Sequence, residues 1–123
     1  MILVDTSVWI DHLHRGEPTL VDLLTRDEVV CHPLVIEELA LGSIKDRELL
    51  LASLIQLRAC PFLTPTELLA LVDAHRLWGR GLSAVDTHLL GSLLLLPGTR
   101  FWTRDKRLRT TAGEVGVPLV AWS

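Results

Sequence analysis

Short apolar runs and longer amphipathic stretches alternate along this chain. Ile2-Leu3-Val4 is the first run, and "EVVCHP", "ACPFL", "TRFWT" and "PLVAW" follow at intervals. Runs this short, bounded by proline, glycine or a polar residue, are the pattern of strands buried on both faces. The intervening stretches carry helix punctuation. "TSVWIDHLHRG" opens on Thr6 or Ser7 as a cap and closes on Gly16; "EPTLVDLLTRD" opens at Pro18 and Thr19. "PLVIEELALG" has Pro33 near its first helical position and Gly42 as its stop. "KDRELLLASLIQLR", "TPTELLALVDAHRLWGRG", "SAVDTHLLGSLLLL" and "DKRLRTTAGEVG" complete the set.

Strands separated by helices predict an α/β chain, a three-layer α/β/α sandwich around a mainly parallel sheet. With 123 residues and no linker or repeat, one domain over 1–123 is expected. In such folds every strand ends on one edge, and ligands bind there. That rule converts the positions of acids in the sequence into a geometric prediction.

Composition changes the picture in three ways. Apolar residues make up 49% of the chain, more than a small core needs, which predicts a covered surface such as a homodimer face or a partner groove. Leu49, Leu50 and Leu54 are candidates, either for that face or for the core. The net charge of −3 excludes a simple basic nucleic-acid binder. Yet Arg100, Arg104, Lys106, Arg107 and Arg109 crowd into ten residues, either a solvated helix face or a phosphate-contacting patch. Cys31 and Cys60 match no zinc spacing and read as small buried hydrophobes in a reducing compartment. The longest apolar run is far too short for a membrane span, and the N-terminus lacks a basic signal region. A soluble, cytoplasmic protein is expected.

Three aspartates recur at helix starts. Asp5 directly follows the first apolar run, and Asp105 has the same address in "RFWTRDKRL". Capping alone would account for either, although Thr6 and Ser7 are also competent caps. Asp86 completes a capping box with Ser83, a sufficient structural reason for it, but it opens a helix apolar enough to abut the sheet. Glu37 and Glu38 lie in a helix with apolar residues on most of its circumference, so one of them is expected to be partly buried. Spacing does not choose between them. Carboxylates converging on one edge would repel and raise one another's pKa values, and a divalent cation is the simplest compensation. Oxygen ligands suit Mg²⁺ or Mn²⁺, which polarise a phosphodiester and activate water for in-line attack.

The histidines form no HExxH or other ligand spacing, and no P-loop, dinucleotide or nucleophile-elbow motif is present. The four tryptophans sit in apolar contexts and are expected in the core.

Four stretches, "MILVDTSVWIDHL", "VIEELALG", "GRGLSAVDTHLLGSLLL" and "FWTRDKRL", together resemble the PIN-domain family, and within it the VapC-type ribonuclease toxins of toxin–antitoxin pairs. The likeness covers nearly the whole chain. It implies a PIN-like α/β/α sandwich and a metal-dependent endoribonuclease that leaves 5′-phosphate and 3′-hydroxyl ends. It places metal-binding, catalytic acids at Asp5, Glu38, Asp86 and Asp105, choosing Glu38 over Glu37. Thr103 falls where the family often has a hydroxyl that supports the site without touching the metal. Arg104, Lys106 and Arg107, beside Asp105, are then placed to hold an RNA backbone. The resemblance also implies an RNA substrate, of tRNA or rRNA type in known members, and a small antitoxin that covers the site and inserts a basic residue.

Three rivals are weaker. A phosphorelay receiver needs an acidic pair after the first strand and a mid-chain aspartate, but Asp5 is followed by Thr-Ser and residues 49–66 contain no acid. A DxD phosphatase needs an acid where Ser7 stands. The remaining alternative is a non-catalytic metal- or partner-binding module whose acids are only caps.

Overall fold

The computed structural model describes all 123 residues. Four strands, β1 (Ile2–Val4), β2 (Val29–Cys31), β3 (Arg58–Ala59) and β4 (Arg100–Trp102), form one parallel sheet in the order β3-β2-β1-β4. Seven helices connect and flank them: α1 (Thr6–Arg15), α2 (Pro18–Thr25), α3 (Pro33–Ala40), α4 (Arg47–Ile55), α5 (Pro65–His75), α6 (Ala84–Leu94) and α7 (Lys106–Glu114). The α/β/α expectation holds. β1 pairs on both sides, Leu3 opposite Val30 and Phe101, and its three residues are buried. An uninterrupted apolar triplet is what a strand covered on both faces requires.

Two strand boundaries differ from the sequence reading. The third strand lies upstream of most of "ACPFL", at Arg58–Ala59, and both residues are exposed at the sheet edge. "PLVAW" supplies only a one-residue bridge, Leu119 to Phe101. Phe101 N–H donates to the Pro118 carbonyl and Val120 N–H to that of Phe101. Pro118 has no N–H of its own, which curtails a longer ladder.

The leucine-rich α4 divides cleanly: Leu54 is in the core, whereas Leu49 is 70% exposed. Trp9 and Trp102 are buried as expected, and Trp122 packs edge-on against Trp102. Trp78 departs from expectation and is 62% exposed, beyond the last turn of α5. Both cysteines are free and buried, and burial pushes their thiols up, Cys31 to about 12 and Cys60 to about 11. They are unreactive at neutral pH. No helix is long and apolar enough to cross a membrane.

His32, at the end of β2, is fully buried. Its Nδ1 accepts the Leu34 N–H at 3.0 Å, leaving the proton on Nε2, which lies 2.9 Å from the Ser92 hydroxyl on α6. Burial first, and then the neighbouring His88, hold its pKa down at about 4. The unfolded chain takes up that proton near pH 6.5 and the folded chain only near pH 4. The neutral imidazole's contribution is therefore complete above pH 6.5 and is lost as pH falls towards 4. Urea unfolding should show up to roughly 3 kcal/mol less stability at pH 4 than at pH 7 from this residue, a slope that His32→Asn flattens.

Candidate active site

The end of β1 sets the centre of the site. Asp5 N–H donates to the Trp102 carbonyl at 2.9 Å, so the β1 and β4 ladders continue one step past the strands and hold Asp5 beside Thr103. Asp5 occupies the N-cap position of α1, yet its carboxylate caps nothing. Its Oδ2 instead accepts the Ser7 hydroxyl and the Thr103 hydroxyl, each at 2.7 Å. Neither Thr6 nor Ser7 caps the helix, as the sequence pattern had suggested; their hydroxyls serve acids. Short hydroxyl–carboxylate bonds of this kind contribute roughly 1.5–3 kcal/mol each and fix the carboxylate's orientation. Asp5 is only 6% exposed, and its second oxygen has no hydrogen-bond partner in the protein.

Thr103, fully buried, joins Asp5 to Asp105. Its hydroxyl donates to Asp5 and accepts the Asp105 N–H at 3.1 Å. Asp105 then caps α7, Oδ1 accepting the Leu108 N–H at 3.0 Å, and its Oδ2 is left without a protein partner. A parallel link passes through Ser7, whose oxygen also accepts the Arg104 N–H at 3.2 Å. Sequence reasoning reached Thr103 through family likeness but read Ser7 only as a cap. The signal available was a hydroxyl two residues after an acid at a strand end.

Asp86 arrives from α6. The capping box with Ser83 is complete: Ser83 Oγ accepts the Asp86 N–H, and Asp86 Oδ2 accepts the Ser83 N–H, both at 3.0 Å. Burial raises the Asp86 pKa, the bonds to Ser83 oppose this, and the charges of Asp5 and Asp105 raise it further. Asp86 is thus a structural cap that keeps one carboxylate oxygen free of protein partners.

Glu38 differs from the expectation of partial burial. Both Glu37 and Glu38 are exposed, because α3 turns only Val35 and Leu39 fully into the core. Glu38 nevertheless accepts the Thr6 hydroxyl at 2.6 Å, tying it to the residue after Asp5. Glu37 makes no side-chain bond there. Glu38 also stands at the rim of a cleft of about 450 Å³, whose apolar wall is Ile10, Leu13, Leu39 and Ile44.

The basic residues separate. Arg104, expected on RNA, is committed within the fold. Its guanidinium donates to Asp11 and Glu17, each at 2.7 Å, and to the Ser123 carbonyl at 3.1 Å, and it lies over the Trp102 ring. Lys106 and Arg107 are exposed and form no ion pair.

Asp5, Asp86 and Asp105 share one arrangement: one oxygen fixed by the protein, the other unpartnered. An all-oxygen set of negative charges is the chemistry of a hard divalent cation. As the side chains stand, no three His, Cys, Asp or Glu groups are gathered closely enough to make a metal-binding cluster by themselves. A cation that retains several of its waters fits such a spread set.

Comparison with known proteins accords with this geometry. The PIN domain family matches residues 2–114. The chain is 60% identical over 119 residues to "Ribonuclease VapC32" of Mycobacterium tuberculosis, in strain CDC 1551 / Oshkosh and in strain H37Rv, covering 97% of this chain and 96% of that relative. A parallel sheet ending in hydroxyl-braced aspartates, matched almost end to end by a VapC ribonuclease, places the chain in the PIN-domain family, among the VapC-type ribonucleases.

Proposed function

We propose that this protein is the toxin of a toxin–antitoxin pair, an endoribonuclease that uses Mg²⁺ or Mn²⁺ and acts in the cytoplasm. The observation that carries the reading is the unpartnered second oxygen on each of Asp5, Asp86 and Asp105, whose first oxygens are pinned by Thr103, Ser7, Ser83 and Leu108. Asp5, Asp86 and Asp105 would hold the cation, with Glu38 completing the set directly or through water. When bound, the cation polarises the scissile phosphodiester and lowers the pKa of a water for in-line attack. The chain's own groups do the rest. Ser7 and Thr103 keep Asp5 oriented, and Thr103 links it to Asp105. Lys106 and Arg107 hold the RNA backbone. Arg104 is assigned to bracing the site rather than to RNA.

The apolar cleft beside Glu38 supports an antitoxin segment lying between α1 and α3, with a basic side chain reaching the acids. A homodimer is proposed through the exposed apolar residues Phe62, Leu69 and Trp78 around α5, a helix with no fully buried residue. Of the α4 leucines that the sequence leaves open to either role, Leu54 belongs to the core and Leu49 is exposed.

Incubating a labelled cellular RNA pool with the protein tests the catalytic reading. Cutting at discrete positions with Mg²⁺ or Mn²⁺, abolished by EDTA and leaving 5′-phosphate ends, is expected. Metal-independent cutting, or 2′,3′-cyclic phosphate ends, would contradict it.

A further inference from the structure

A second, shallow and open cleft lies at the start of α7, next to Asp105. It measures about 270 Å³ and is lined by Arg80, Lys106, Arg107, Thr110 and Thr111, none of them an apolar residue type. Its two walls are extensions of the site already described. One is α7, which begins at Asp105; the other is the loop between α5 and α6, which ends at Ser83 and leads into Asp86.

Arg107 lies directly over Gly81, where a Cβ would fall 2.5 Å from the guanidinium Nη1, and Gly81 has φ of +77°. That backbone favours glycine, and the missing side chain lets the guanidinium lie close. Arg80 is anchored from behind by an ion pair to Glu114 at the far end of α7. Lys106 and Arg107 have no acidic partner, so two full positive charges face the cleft without compensation, with two hydroxyl residues beside them. Cations held near one another in this way call for an anion with several acceptor oxygens, and a phosphate group matches arginine's fork of donors.

We propose that this cleft is a phosphate-binding subsite that holds an RNA phosphodiester flanking the one that is cut, with Arg107 and Lys106 as its uncompensated cations and Arg80, oriented by Glu114, as a further donor. The assignment rests on the ribonuclease reading of the neighbouring acids. Because the cleft and the acids share α7 and the α5–α6 loop, a strand seated on Arg107 is held in register with Asp86 and Asp105. Arg80 thereby acquires a role in positioning substrate that its sequence context did not suggest.

Two measurements test this. Binding of a short fluorescein-labelled single-stranded RNA of mixed sequence is followed by anisotropy in the uncut Asp5→Asn background, across a salt series. Each phosphate contact contributes a slope of about −0.7 to log K against log salt for a single strand. Arg80→Gln and Arg107→Gln should each weaken binding and make the slope shallower by roughly that amount. In the otherwise wild-type enzyme, the same changes should raise KM for RNA several-fold more than they lower kcat. A slope unchanged in both variants, or a loss confined to kcat or to thermal stability, would overturn the subsite. Tight, cleft-dependent RNA binding by a chain that never cuts RNA would instead preserve the subsite and overturn the ribonuclease reading.

Discussion

Replacing Asp5 by Asn is expected to lower RNA cleavage at least ~100-fold while leaving the fold intact. The carboxamide oxygen can still accept the Ser7 and Thr103 hydroxyls, so both 2.7 Å bonds have a substitute. What disappears is the negative charge at the end of β1, on which the proposed cation site depends. Asp5 is the most buried of the four acids, so water cannot readily take its place. Single-turnover cleavage at saturating Mn²⁺, with circular dichroism and thermal unfolding on the same sample, separates the two effects. Unimpaired cutting by a folded Asp5→Asn chain would mean that the acids at the sheet edge serve some other purpose.

Arg104→Ala should act on stability. Its guanidinium joins Asp11 on α1, Glu17 at the start of α2 and the carbonyl of the last residue, and covers Trp102. Removing it leaves Asp11 and Glu17 with only the longer contacts to the exposed Arg15, at 3.5 and 3.4 Å. The expected result is a Tm lower by roughly 5 °C at pH 7, with RNA affinity unchanged once the measurement is made well below that Tm. The sign of its pH dependence follows from Glu17, whose pKa is held down chiefly by its bond to Arg104. The stabilisation is present above the ordinary carboxylate pKa and fades as pH falls through the lowered one. The difference between variant and wild type should therefore shrink in acid. A Tm unchanged at pH 7 with weakened RNA binding would return Arg104 to the RNA surface.

Much of the architecture was legible because it depends on local pattern. Ile2-Leu3-Val4 has no polar position to turn outward, so a doubly covered strand was its only accommodation. Pro33, Gly42 and the Ser83–Asp86 box marked helix ends by steric and hydrogen-bond rules that act within a few residues. β3 was less legible. Arg58 and Ala59 are exposed and carry no apolar signal, and their pairing with Val30 and Cys31 is a long-range event.

The site divides along the same line. That acids follow strands could be read directly, and the rule about strand ends then brought Asp5 and Asp105 to one edge. The direction of each carboxylate could not be read. Asp5 has the right residue and backbone for a cap but gives its oxygen to Ser7 and Thr103, a choice set by a neighbouring strand 98 positions away in sequence. Glu38 was distinguished from Glu37 only by family likeness, since both are exposed and the Thr6 hydroxyl that singles out Glu38 comes from another helix. Arg104 and Arg107 are alike in composition and separated by three positions. Tertiary partners give one to Asp11 and Glu17 and leave the other free.

Binding of Mn²⁺ tests the central claim most directly, because it needs no knowledge of the RNA. Titration calorimetry of the wild type should show saturable binding that Asp5→Asn and Asp105→Asn each abolish or weaken at least ~10-fold, with both variants folded. Equal Mn²⁺ affinity in the wild type and both variants would contradict it.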